Sequence, residues 1–237
     1  MQIDRSPQAI VFDLDGTLVD SSRDIAAAVN HALAAHGFPT RPPKQLATLV
    51  GDGARWLVAR ATELPHDDPA VDRVLATYSK YYEAHAVDAT HPVAATVRTL
   101  TELQGLPLAV CTNKPRTATD LVLEGLGLAC YFDIVVAGGD LPRLKPDPLP
   151  LLTIAERLGV HARELVMVGD GPQDVGCGRA VGAFTVGIQG GMTLPQRLLD
   201  ARPDALLDSI GALPAQLRAW GWVRGGPRSA GLVRPLD

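Results

Sequence analysis

The chain has 237 residues, 46% of them hydrophobic and 20% charged, with a formal net charge of −4 at pH 7. That size and balance suit one large α/β domain, or one carrying an insertion, and exclude global disorder. With no long basic run, nucleic acid and anionic membranes are excluded as main partners, and a bound phosphate needs a local device.

The start, MQIDRSPQ, is polar and followed by only a short apolar run, unlike a secretory signal. No apolar stretch approaches the roughly 18 residues that span a bilayer. Cys111, Cys130 and Cys177 form no CxxC pair, which fits a reducing cytoplasm rather than a disulfide framework or zinc site.

In chain order, the first apolar run is AIVFD (9–13). Between Asp20 and about His91 no strand is predicted. Three helical patterns fill that interval instead: 24–37, 53–64 and 68–85, the first with Ile25, Ala28, Val29, Ala32 and Leu33 at helical spacing. Ser21 or Ser22 is placed to cap the first, and Gly37 to end it. Further strands follow at LPLAVCT (106–112), FDIVVAG (132–138), ELVMVGD (164–170) and AFTVGI (183–188), with helices at 117–127 and 149–159 between them. Strands alternating with helices, and apolar on both faces, predict a doubly wound parallel sheet. The expected division is a Rossmann-like core over 1–19 and 91–224, a helical insertion over 20–90, and a flexible tail over 225–237, where GGPRSAGLVRPLD lacks periodicity.

The chemistry gathers at strand ends, where ligands of open α/β sheets bind. Residues i and i+2 of a strand share a face, so Asp13 and Asp15 converge, and Gly16 lets the chain bend. The next strand delivers Thr112, Asn113 and Lys114, the third leads to Lys145, and the fourth delivers Asp170 with Asp174 close behind. Like charges about 4 Å apart cost roughly 4 kcal/mol at an effective dielectric near 20. Such a cluster calls for a divalent cation, and an all-oxygen set suits Mg2+. One carboxylate can then attack phosphorus while a second handles protons. Lysine and metal neutralise the transferred group, to which Thr112 and Asn113 offer donors.

DLDGTLVDS, TNKP, KPDP and GDGPQD, in this order and spacing, resemble the four motifs of the haloacid dehalogenase superfamily over residues 8–220. The resemblance makes the insertion a small cap, Asp13 the nucleophile and Asp15 the general acid/base. It implies Mg2+ held by the Asp13 side chain, the Asp15 carbonyl and Asp170, with Asp174 orienting the metal's water shell. Thr112 and Asn113 would hold the phosphoryl group, and Lys145 would balance charge.

An acid at position 15 points to a phosphatase. CTNKP and the segment LVGDGARWLVARA (49–61) resemble phosphoglycolate phosphatases, in which the Gly51–Gly53 turn would face the site. Arg55 and Lys114 are candidates to meet a substrate carboxylate. The implied substrate is a small phosphorylated metabolite, most simply 2-phosphoglycolate, and the protein a monomer or homodimer. The alternatives are a phosphatase of a sugar phosphate, nucleotide or pyrophosphate, or a phosphosugar mutase resembling β-phosphoglucomutase. A receiver-like signalling domain fits less well, because its phosphate-accepting Asp lies on a middle strand without a helical insertion. Two departures stand out: Gly171 occupies a place where many relatives carry Ser or Thr, and the return from the insertion reads AATVRTL (94–100) where relatives often have Pro-Gly-Val.

Overall fold

The computed structural model describes residues 6–222. The predicted tail, 225–237, the first five residues and positions 223–224 lie outside the described residues.

β1 (Ala9–Phe12) is buried along its whole length. Its alternate residues feed two cores: Ala9 and Val11 join Leu151, Ile154, Met167 and Cys177 on one face, and Ile10 and Phe12 join Leu100, Val122, Val166 and Leu217 on the other. β4 (Leu108–Pro115) pairs parallel to β1 on one side and β6 (Leu165–Gly169) on the other. Adding β5 (Ile134–Gly138), β7 (Phe184–Ile188) and β8 (Ala205–Leu207) gives a six-stranded parallel sheet of order β5-β4-β1-β6-β7-β8. α5 (Thr96–Leu103), α6 (Arg116–Gly125) and α10 (Leu213–Ala219) cover the face that carries Phe12; α7 (Leu149–Leu158) and α8 (Pro172–Ala180) cover the other. β1 lies where the order turns from β4 to β6, so the strand ends open a crevice there. This is the expected doubly wound architecture. β8 and α9 (Pro195–Ala201) had no clear sequence signal, since three-residue edge strands seldom carry a periodic pattern.

Between β1 and α5 the chain leaves through β2 (Val19–Asp20) and returns through β3 (His91–Pro92), which pair antiparallel. The segment between holds only helices: α1 (Ser22–Ala35), α2 (Pro43–Ala47), α3 (Ala54–Thr62) and α4 (Pro69–Ala84). Buried Asp24 on α1 accepts from the amides of Ala89 (2.9 Å to Oδ2) and Thr90 (2.8 Å) and from the Thr90 hydroxyl (2.7 Å), tying the two connections together. Of the two expected caps, Ser22 is already the first residue of α1, and that by Ser21 does not form. Its hydroxyl goes to Asp15, and Asp20 takes the Ser22 amide instead, at 3.0 Å. No helix among the described residues is long and apolar enough to cross a membrane.

The unusual return segment has a conformational cost. Ala95, just before α5, sits at φ 72°, in the left-handed region. That region costs an L-residue roughly 1–2 kcal/mol, which glycine avoids at some expense in unfolded-state entropy. Ala95→Gly is therefore expected to stabilise the protein by about 1 kcal/mol, read as a Tm rise of about 2–4 °C. An unchanged or lower Tm would refute the strain.

Candidate active site

The Asp13 amide still bonds the Val168 carbonyl at 2.9 Å, extending the β1 ladder by one residue. Leu14 is wholly buried, and Gly16 turns the chain at φ 88°. A Cβ there would lie 2.5 Å from Asp170 Oδ2, so the turn needs glycine twice over, for its conformation and for the approach of Asp170.

Asp13, Asp170 and Asp174 each bring an oxygen within 4.8 Å of the others, and all three are buried. Lys145 is their counter-ion. Its Nζ donates to Asp13 Oδ1 (2.7 Å), Asp174 Oδ1 (2.6 Å) and the Cys111 carbonyl (2.5 Å), which uses all three ammonium hydrogens. The second Asp174 oxygen accepts from the Gly171 amide at 2.9 Å, so this aspartate caps α8 while it positions Lys145. The amide of Gly171 thus serves structure, and a Cβ there would run into Gln173. Asp170 Oδ2 accepts from the amides of Met192 (2.7 Å) and Thr193 (3.1 Å).

Three buried carboxylates against one ammonium leave an excess of negative charge. Burial lifts Asp13 from 3.8 to about 7, against the pull of Lys145 and with added repulsion from Asp174. Burial likewise lifts Asp170 to about 6, aided by Asp13. For Lys145, burial alone would favour loss of the proton. The Asp13 and Asp174 carboxylates outweigh it and raise its pKa well above the ordinary lysine range. A hard dication suits this all-oxygen, over-charged donor set.

Asp15 belongs to a neighbouring group. Its Oδ1 accepts from the Ser21 hydroxyl (2.5 Å), and both its oxygens accept from Lys114 Nζ (3.0 and 3.1 Å). The two β1-end aspartates therefore each have their own lysine.

The pairing of β4 with β5 shifts register between Cys111 and Pro115, and this irregular end carries Thr112, Asn113 and Lys114. Thr112 Oγ1 accepts from the Lys114 amide (3.1 Å), which leaves its hydroxyl hydrogen available to a ligand. The Asn113 side chain is otherwise engaged. Its Nδ2 donates to the carbonyls of Gly51 and Lys145, both 2.9 Å, and its Oδ1 accepts from the Lys145 amide, also 2.9 Å. The side-chain amide thus ties the helical segment to the Lys145 loop.

A cavity of about 40 Å³ lies over these groups, lined by Asp13, Asp15, Thr112, Asn113 and Lys114 below, and by Val50, Gly51, Gly53, Ala54, Leu57 and Tyr78 above. Gly51, at φ 129°, presses on Gln173, where a Cβ would fall 2.6 Å from the amide nitrogen. Arg55 does not reach the cavity, which corrects the expectation for it. Ala54 and Leu57, three apart on α3, face inward; Arg55 lies on the outer side, paired with Asp72 and donating to the His66 carbonyl at 2.9 Å.

Sequence reasoning missed the Lys114–Asp15 pair, the Ser21 hydroxyl and the Met192–Thr193 amides. Adjacency to TNKP and DLDGTLVDS was the signal for the first two. Nothing local marks the amides.

The family model described as haloacid dehalogenase-like hydrolase matches residues 10–188. A phosphoglycolate phosphatase of Neisseria gonorrhoeae (strain ATCC 700825 / FA 1090) is 40% identical over 216 residues, spanning 87% of this chain and 90% of the relative. The Escherichia coli (strain K12) phosphoglycolate phosphatase is 35% identical over 228 residues, with the same coverage of 87% and 90%. Among solved structures, one described as a "predicted phosphoglycolate phosphatase" from Haemophilus somnus 129pt superposes with a TM-score of 0.82 at 26% identity, covering 90% of this chain and 99% of that one. On the matched motifs, the sheet that carries them and these relatives together, the chain belongs to the haloacid dehalogenase-like hydrolase family.

Proposed function

We propose that this hydrolase is a Mg2+-dependent phosphatase that cleaves 2-phosphoglycolate to glycolate and phosphate, with residues 20–90 acting as its cap. The observation that carries the reading is the small cavity. It sets Asp13, Asp15 and Thr112 directly beneath Val50, Gly51 and Leu57 of the helical segment, so a phosphate ester held there touches both. The identities to named phosphoglycolate phosphatases support the same substrate.

In this reading Asp13 attacks phosphorus and forms an aspartyl-phosphate. Asp15 gives a proton to the departing alkoxide, then takes one from the water that hydrolyses the intermediate. Lys145 draws Asp13 toward its ionised form and aligns it, and Thr112 donates to a phosphoryl oxygen. Asp13, Asp170 and the carbonyl of Asp15 would hold Mg2+, with Asp174 behind them. When bound, the ion draws charge from the phosphoryl oxygens. The apolar underside of the cap, Val50, Leu57 and Tyr78, keeps bulk water from the acyl phosphate.

The test is a panel of phosphate esters with Mg2+ and with EDTA. The highest kcat/KM is expected for 2-phosphoglycolate, and activity is expected to vanish with chelation. A sugar phosphate, nucleotide or pyrophosphate ranking far above it would overturn the substrate. Isomerised sugar phosphate with little free phosphate would indicate a mutase.

A further inference from the structure

We propose that Lys114 is a positioning residue for Asp15 and that cap residue Tyr82 is its outer anchor, so that the acid/base is correctly aimed only while the cap is docked. This builds on the phosphatase reading above and adds to it a link between the cap and proton transfer.

The ammonium of Lys114 is buried, its side chain 3% exposed, and its partners come from both units of the fold. On the core side Nζ donates to both oxygens of Asp15. On the cap side it donates to the Tyr82 hydroxyl at 2.7 Å and lies 4.5 Å from the centre of the same ring. Tyr82 sits in α4, 2% exposed, stacked on Tyr78 at 5.7 Å between ring centres. Tyr78 in turn forms part of the cavity roof. A rigid aromatic pair on the cap thus fixes the lysine, and the lysine fixes the carboxylate.

The chemistry requires such a restraint. Asp15 lies in the Leu14–Gly16 bend, and apart from Lys114 its side chain is held by the Ser21 hydroxyl, at the start of α1. Both side-chain restraints on Asp15 therefore depend on cap placement. A buried ammonium is costly unless fully paired. If Tyr82 withdraws, Lys114 loses one acceptor and the ring face beneath it, and it gains reason to follow the cap or turn to water. Misplacing a catalytic group by about 1 Å costs on the order of 100-fold. The two lysines divide the work: Lys145 serves attack and Lys114 serves proton transfer.

A leaving-group comparison tests this. The wild type, Lys114→Met and the isosteric Tyr82→Phe are assayed on 2-phosphoglycolate, whose alkoxide needs protonation, and on p-nitrophenyl phosphate, whose phenolate does not. For the latter the pre-steady-state release of p-nitrophenolate isolates the first step from hydrolysis of the intermediate. Lys114→Met is expected to lower kcat on 2-phosphoglycolate by about 100-fold while slowing the nitrophenolate burst by less than about 5-fold. Tyr82→Phe should show the same asymmetry at about 5–10-fold, and it guards against a Lys114 variant that fails to fold. An equal loss on both substrates would mean a structural role only. A rise in KM for 2-phosphoglycolate at unchanged kcat would make Lys114 a carboxylate contact instead, and no change would also refute the proposal. If the wild type releases nitrophenolate but leaves 2-phosphoglycolate intact, the substrate reading fails. The comparison then proceeds with whichever alkyl phosphate the wild type cleaves.

Discussion

Asp13→Asn is expected to lower kcat by about 10⁴ or more while leaving the fold intact, because an amide cannot attack phosphorus at a useful rate. The side chain keeps its shape, and Lys145 retains Asp174 and the Cys111 carbonyl as acceptors. Stability should move the other way. Burial lifts Asp13 from 3.8 to about 7, so between those values the native protein binds more protons than the unfolded chain. The stability this group contributes is fully present below about pH 4 and is lost as pH rises through about 7. Without metal, the variant's Tm should thus match or exceed wild type at pH 8 and vary less between pH 5 and 8. Residual turnover near wild type would remove Asp13 from the nucleophile's place. A steeper pH dependence in the variant would contradict the charge balance proposed for the cluster.

Lys145→Met is expected to lower kcat by about 10³, since it removes a preorganised cation beside both the proposed nucleophile and the phosphoryl group. It should also destabilise the protein by about 3–5 kcal/mol, the usual result of stripping a buried carboxylate of its partner. Here two carboxylates, Asp13 and Asp174, are stranded at once. Protons can stand in for the missing ammonium, so the loss in Tm should be larger at pH 8 than at pH 5.5. Added Mg2+ should restore part of it at the higher pH. An equal loss at both values, unmoved by Mg2+, would show that Lys145 contributes packing rather than charge.

Much of this was legible in the sequence for a definite physical reason. A parallel strand buried on both faces writes a continuous apolar run, as AIVF and LVMVG do, and polar residues at its end stand out against that run. Hence Asp13 and Asp170 stand out in the sequence, with Asp174 close behind and Lys145 after the third strand. What the sequence concealed depends on rotation and reach. Arg55 and Leu57 lie two positions apart on one helix, and nothing local says which faces the cavity. The Asn113 side chain bonds Gly51 and Lys145, partners 62 and 32 positions away that nothing in TNKP announces. Lys114 and Tyr82 are separated by 32 positions, and their contact exists only because α4 lies over the end of β4. Gly171, which read as a lost hydroxyl, turns out to supply the amide that holds Asp174.

The most direct test of the covalent chemistry is an acid quench during turnover of 2-phosphoglycolate with Mg2+, followed by mass analysis of the peptide carrying residues 9–20. One phosphoryl group on Asp13, absent in Asp13→Asn, is the expected result. Steady turnover with an unmodified peptide at every quench time, or a phosphoryl group on another residue, would contradict attack by Asp13.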